Sequence, residues 1–163
     1  MKSNLSRWIT YNLVVCFAVY WISNLILWYP WSINETLGQI LMLTINPILW
    51  GYASYTCIIK YPKTNVLNGV LYNSMIFITE AIFSDLIFFG IIRRSMEKLM
   101  QITTLYAWCF VMCLPFIIYF LLPKSIKKNK RELESSSFRK PLIVGIVSFI
   151  LITSVILFNV KFS

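Results

Sequence analysis

Apolar residues in this chain fall into five runs of about 20 residues or more, separated by short polar breaks. A bilayer core takes about 20 helical residues to cross, and inside lipid each segment must satisfy its own backbone hydrogen bonds, which favours helices. The pattern therefore predicts an all-α, polytopic transmembrane bundle with five spans, at about 8–29, 37–59, 66–92, 101–122 and 141–160. Together they make a single integral membrane domain over residues 1–163, with 123–140 as the one sizeable polar loop.

Within the runs, the polar residues are placed by helical spacing. Asn12, Cys16, Tyr20 and Ser23 recur at steps of four, four and three, which puts them on one face of the first helix. Trp28-Tyr29-Pro30-Trp31 closes that span with residues that favour the headgroup level. The first segment is too long for a signal-peptide core and lacks a small-x-small cleavage site, so it is expected to remain as an anchor. Asn46-Pro47 interrupts the second run. Proline removes a backbone donor there, and Asn46 is placed to satisfy the freed Leu43 carbonyl. Pro47, Gly51 and Ser54 share a face on which another helix can come close. Pro115 is expected to kink the fourth helix. Gly145 gives the fifth a close-approach point.

The third run carries two acids, Glu80 and Asp85, the only ones in any of the long apolar segments. At 100° per residue, Asn73, Glu80 and Ser84 form one polar stripe, and Asp85 lies about 140° round from Glu80. The two acids are thus expected to face different neighbours rather than to form a carboxylate dyad. A charge at the bilayer centre costs about 2.5–3.5 kcal/mol on insertion scales. No Lys or Arg lies within a span to offset it, so Glu80 is expected to bond to Asn73, Asn12 or Asn46. Asp85 is expected to reach Arg93 or Arg94 by snorkelling. Asn73, Glu80, Ser84, Asn46 and Asn12 are the candidate intramembrane polar site.

Composition supports a membrane protein: 58% of residues are hydrophobic and 13% charged, about half the charged share usual in soluble domains. The net charge is +9. In a soluble protein that would suggest nucleic acid. In a polytopic chain, Lys and Arg hold loops on the inner side, so nucleic acid is not an expected partner. With the N-terminus inside, eleven basic residues fall on the inner side and four on the outer. The expected topology is N-in/C-out, with 123–140 as a basic cytoplasmic loop. Its Lys124, Lys127, Lys128, Lys130, Arg131, Arg139 and Lys140 are candidate contacts for anionic lipid or a cytosolic protein partner.

The chain has no histidine and four cysteines, all within apolar runs. Cys109 and Cys113 are spaced i,i+4 and read as packing residues, not a metal or redox pair. No P-loop, HExxH, GxSxG or CxxC motif is present. No metal, no cofactor and no enzymatic activity are expected. The sequence points to a non-enzymatic membrane subunit. It would form homo-oligomers in the lipid bilayer and recruit or sense through the basic loop, as subunits of multi-protein bacterial assemblies such as defence complexes do. The alternative is a small oligomeric channel, or a proton- or cation-coupled transporter, with Glu80 in the path. The abundance of Ile, Asn, Lys and Ser suggests a bacterial inner membrane.

Overall fold

The computed structural model describes residues 2–123 and 133–158, and every regular element among them is helical. The chain forms α1 (Lys2–Ile33), α2 (Glu35–Ile59), α3 (Val66–Asp85), α4 (Ile102–Leu121) and α5 (Ser136–Leu157). Between α3 and α4 the helix continues as a π-helical stretch, Leu86–Ile92, followed by a 3-10 turn, Met96–Met100. Each of the five predicted spans overlaps one of these helices, the third running on into the π-helical stretch. Four helical stretches are long and apolar enough to cross a membrane: Asn4–Ile33, Val66–Ile92, Ile102–Leu121 and Ser136–Leu157. α2 has the length, but Thr, Asn, Gly, Ser and Tyr dilute its apolar content, and it is not among the four.

Caps explain the breaks. Asn34 leaves the helical conformation and its Oδ1 accepts from the Leu37 N–H, so α1 ends and α2 begins within one residue. Glu35 follows in the first turn, where the helix dipole favours a negative charge. Asn65 caps α3 in the same way through the Leu67 N–H. Arg94 adopts a left-handed φ of 50°, which turns the chain out of the π-helical stretch.

α1 is the hub. It packs against α2, α3 and α5, while α4 lies across α2 and α3. In lipid, burying apolar surface between helices gives little driving force, so close approach and interhelical hydrogen bonds decide who packs on whom. Gly145 supplies the approach of α5 to α1. A β-carbon there would meet Phe17 at 2.5 Å and the Ala18 backbone at 3.1 Å. Gly69 lets the Tyr61 ring lie on α3, where it also meets Trp8 edge-on at 4.9 Å. Gly51 faces Ile118 of α4, as the small face around Pro47 predicts.

Side-chain bonds fix the helix directions. Arg7 donates to Ser135 Oγ at 2.6 Å and Lys60 to Ser137 Oγ at 3.0 Å. The start of α1, the end of α2 and the start of α5 therefore meet at one end. Trp8 Nε1 donates to the Cys57 carbonyl at 2.8 Å in the same region. α1 and α3 are parallel, because their contacts climb both helices together.

Pro47 lies inside α2, which runs on through it, and Asn46 Oδ1 is buried without a hydrogen-bond partner. One expectation fails here. Cys109 and Cys113 are exposed on the outer face of α4, so they are not packing residues. The α4 face that packs on α3 and α2 carries Val111, Leu114 and Pro115 instead.

Candidate functional site

The α1–α3 seam is a ladder of polar contacts spaced by helical turns. Asn12 starts it. Its Nδ2 donates to the Trp8 carbonyl one turn back at 2.8 Å, and its Oδ1 accepts from Asn73 Nδ2 at 2.6 Å. Both asparagines are 0% exposed, and the bond pairs Asn12 Oδ1 with Asn73 Nδ2 while Asn73 Oδ1 is left without a partner. One turn on, the Cys16 thiol is directed at the Phe77 carbonyl at 3.8 Å and lies within hydrogen-bond reach of the Glu80 carboxyl. Another turn on, the Tyr20 hydroxyl donates to Asp85 Oδ1 at 2.6 Å. Asn24 extends the stripe by donating to the Tyr20 carbonyl at 2.9 Å.

α4 joins at two places. Ser74 Oγ donates to the Met112 carbonyl at 2.6 Å, and Trp108 Nε1 donates to Asp85 Oδ2 at 2.6 Å. Asp85 therefore uses each carboxyl oxygen on a different helix and pins α1, α3 and α4 at one level. This corrects the expectation that Asp85 reaches Arg93 or Arg94. Eight residues of helix separate Asp85 from Arg93, about 12 Å of rise, and two donors already stand beside the carboxyl. Arg93 lies instead over Trp28 at 4.9 Å and over Phe88 and Phe89 at 5.7 Å each. Cation–π contact holds it there. Burial lowers its ordinary value, and Glu97 opposes that.

The π-helical stretch begins directly after Asp85. Its i→i−5 bond from the Arg93 N–H to the Phe88 carbonyl spans 2.8 Å. Such wide turns re-aim side chains and recur at functional sites. Here the turn buries Phe88 and Ile92 and leaves Ile91 exposed.

Glu80 is placed differently from Asp85. It does not bond to Asn73, Asn12 or Asn46. Asn73 and Asn12 are engaged with each other, and Glu80 Oε2 is buried with no hydrogen-bond partner. Its near titratable neighbours are the buried thiols of Cys16 and Cys57. Ser84 is buried four residues on, on the same stripe. The two acids also share a neighbour in α1, one at Cys16 and the other at Tyr20, because α1 runs parallel to α3 along this length. Trp108 carried no polar signal in the sequence and read as one aromatic among many.

At the basic end, the Lys60 ammonium lies 4.6 Å from the Tyr11 ring centre and Arg7 lies 5.9 Å from that of Phe138. Arg139 and Lys140 are exposed on the first turns of α5. Lys124, Lys127, Lys128, Lys130 and Arg131 lie outside the described residues. Among the described residues, no group of three or more Cys, Asp or Glu side chains is placed to hold a metal ion. No protein-family model, curated protein or solved structure matches the chain.

Proposed function

We propose that this chain is a non-enzymatic, five-span subunit of a bacterial inner membrane, oriented N-in/C-out, that recruits an acidic cytosolic protein through residues 123–140. α2 crosses with the other four helices, turning Gly51, Ser54 and Cys57 to the bundle. The observation that carries this reading is the joining of basic elements at one end. Arg7 and Lys60 bond to Ser135 and Ser137. They thereby hold the C-terminal end of the 123–140 segment, which carries Arg139 and Lys140, beside the start of α1 and the end of α2. Seven basic residues over that stretch also attract anionic lipid, at about 1 kcal/mol each.

Co-purification from membranes tests it. A variant with Lys124, Lys127, Lys128, Lys130 and Arg131 changed to Gln should lose a stoichiometric cytosolic partner that the unaltered chain retains. The same partner at the same yield from both would sink the reading.

A second reading, an oligomeric proton or cation path, is favoured by Glu80. A half-buried carboxyl with an unpartnered oxygen in an apolar span is a candidate for a transported ion. Flux into liposomes should then fall in Glu80→Gln. Equal flux in both proteins removes it.

A further inference from the structure

Lys and Arg at the ends of membrane spans are ordinary, because their charges stay in the headgroup layer while their stems lie along apolar surface. At the basic end of this bundle two of them are held in a particular way. Arg7 donates to Ser135 Oγ at 2.6 Å and lies 5.9 Å from the Phe138 ring centre. Lys60 donates to Ser137 Oγ at 3.0 Å and to the Tyr11 hydroxyl at 3.4 Å, with its ammonium 4.6 Å from the Tyr11 ring centre. The Tyr11 and Phe138 rings meet edge-on at 5.4 Å. Each cation is thus paired with one serine, and the ring pair joins the two sets. Every link is a contact, from Ser135 through Arg7, Phe138, Tyr11 and Lys60 to Ser137.

Three helices supply these residues where they leave the apolar core. Arg7 directly precedes the first predicted span, Lys60 directly follows α2, and Ser135 directly precedes α5. That is the headgroup level of a bilayer, where lipid phosphates stand. A serine that accepts from a cation keeps its own O–H to donate. The set therefore offers a guanidinium, an ammonium and two hydroxyls, all of them donors. Neither serine neutralises the cation that bonds to it. Glu134, the acid nearest to these serines in sequence, is turned to Ser136, whose Oγ donates to it at 2.9 Å. Arg7 and Ser135 are exposed, and Lys60, Ser137 and Phe138 are half-buried, so a headgroup can reach the set.

We infer that this end of the bundle holds an anionic phospholipid, with one phosphate at Arg7 and Ser135 and a second at Lys60 and Ser137. Charge-assisted hydrogen bonds to phosphate are about twice as strong as neutral ones, and basic pockets between transmembrane helices take such headgroups. A lipid with two phosphates joined through one glycerol fills both subsites. A lipid with one phosphate leaves the other cation without an anion. The bound lipid joins α1, α2 and α5 at the base of the 123–140 segment. The site rests on the proposed function only for the leaflet it faces, and its test needs no cytosolic partner.

Native mass spectrometry of the full chain in detergent counts the lipids retained per chain as cardiolipin, phosphatidylglycerol or phosphatidylcholine is titrated in. Cardiolipin, with two phosphates, should be retained one per chain. It should bind about fivefold more tightly than phosphatidylglycerol, the factor that about 1 kcal/mol per basic residue gives. Arg7→Gln should remove that advantage. Arg139→Gln, which takes an equal charge from the first turns of α5, should keep it. An equal loss in Arg139→Gln overturns the built site in favour of diffuse charge. Equal retention of cardiolipin and phosphatidylglycerol overturns the second subsite, and equal retention of phosphatidylcholine overturns recognition of an anion. Displacement of cardiolipin by inorganic phosphate would make free phosphate the occupant and overturn the lipid. A cardiolipin with a photoreactive group beside its glycerol reads the site on the unsubstituted chain. Adducts should map to the peptides that carry Arg7, Lys60 and Ser135–Phe138, and adducts confined to α3 and α4 overturn the proposal.

Discussion

Asp85 and Glu80 stand five residues apart on one helix, and the bundle treats them in opposite ways. Asp85 has both oxygens filled, by Tyr20 and Trp108, from two different helices. Glu80 has one oxygen buried with no partner and the Cys16 thiol as a neighbour. An acid within a span is an expensive residue either way. What separates a clamp from a site is the supply of donors. Asp85 is a packing device that joins three helices. Glu80 is a group whose needs the fold leaves unmet.

The largest effect that would break this comparison is at the clamp. Asp85→Ala removes two short hydrogen bonds and strands the buried Tyr20 hydroxyl and the half-buried Trp108 indole, so it should lower unfolding stability in detergent by about 2–4 kcal/mol. A loss under about 0.5 kcal/mol would mean that Asp85 is not structural.

Next, Gly145→Leu should cost about 1–3 kcal/mol by overpacking α5 against Phe17 and Ala18. It should leave Glu80 chemistry unchanged, because α5 lies on the far side of α1. Altered reactivity at Glu80 would show that the two sides of α1 are coupled.

A double-mutant cycle between Asn12→Leu and Asn73→Leu should give a coupling of about 0.6–1.7 kcal/mol, the range found for interhelical hydrogen bonds in lipid. Zero coupling would break the ladder at its first rung.

The smallest effect should be that of Glu80→Gln, within about 0.5 kcal/mol of the unaltered chain or slightly stabilising. It takes a half-buried carboxyl with one partnerless oxygen out of an apolar span. A loss as large as that of Asp85→Ala would erase the distinction between the two acids.

Much of this was legible in the sequence. Helical spacing placed Asn12, Cys16 and Tyr20 on one face, grouped Asn73, Glu80 and Ser84, and marked Gly145 as a contact point. Local periodicity suffices for these, since each depends only on one helix's geometry. The partners did not follow. Asp85 bonds to residues 65 and 23 positions away, and nothing in the spacing selects Trp108 from the other aromatics. The sequence offered arginines eight and nine residues on, but the π-helical stretch and the ring cluster of Trp28, Phe88 and Phe89 claimed Arg93 first. Cys109 and Cys113 were equally undetermined. An apolar helix with a weak polar stripe does not announce which face turns to lipid. α2 shows the opposite difficulty: it is long enough to span but diluted by polar residues, so its place in the bundle is set by what packs on it.

The most direct measurement is labelling by a hydrophobic carbodiimide, which modifies protonated carboxyls within a membrane, read residue by residue by mass spectrometry. A proton-binding Glu80 and a clamped Asp85 predict an adduct on Glu80 and none on Asp85. An adduct on Asp85 with Glu80 untouched would contradict the division of roles between them.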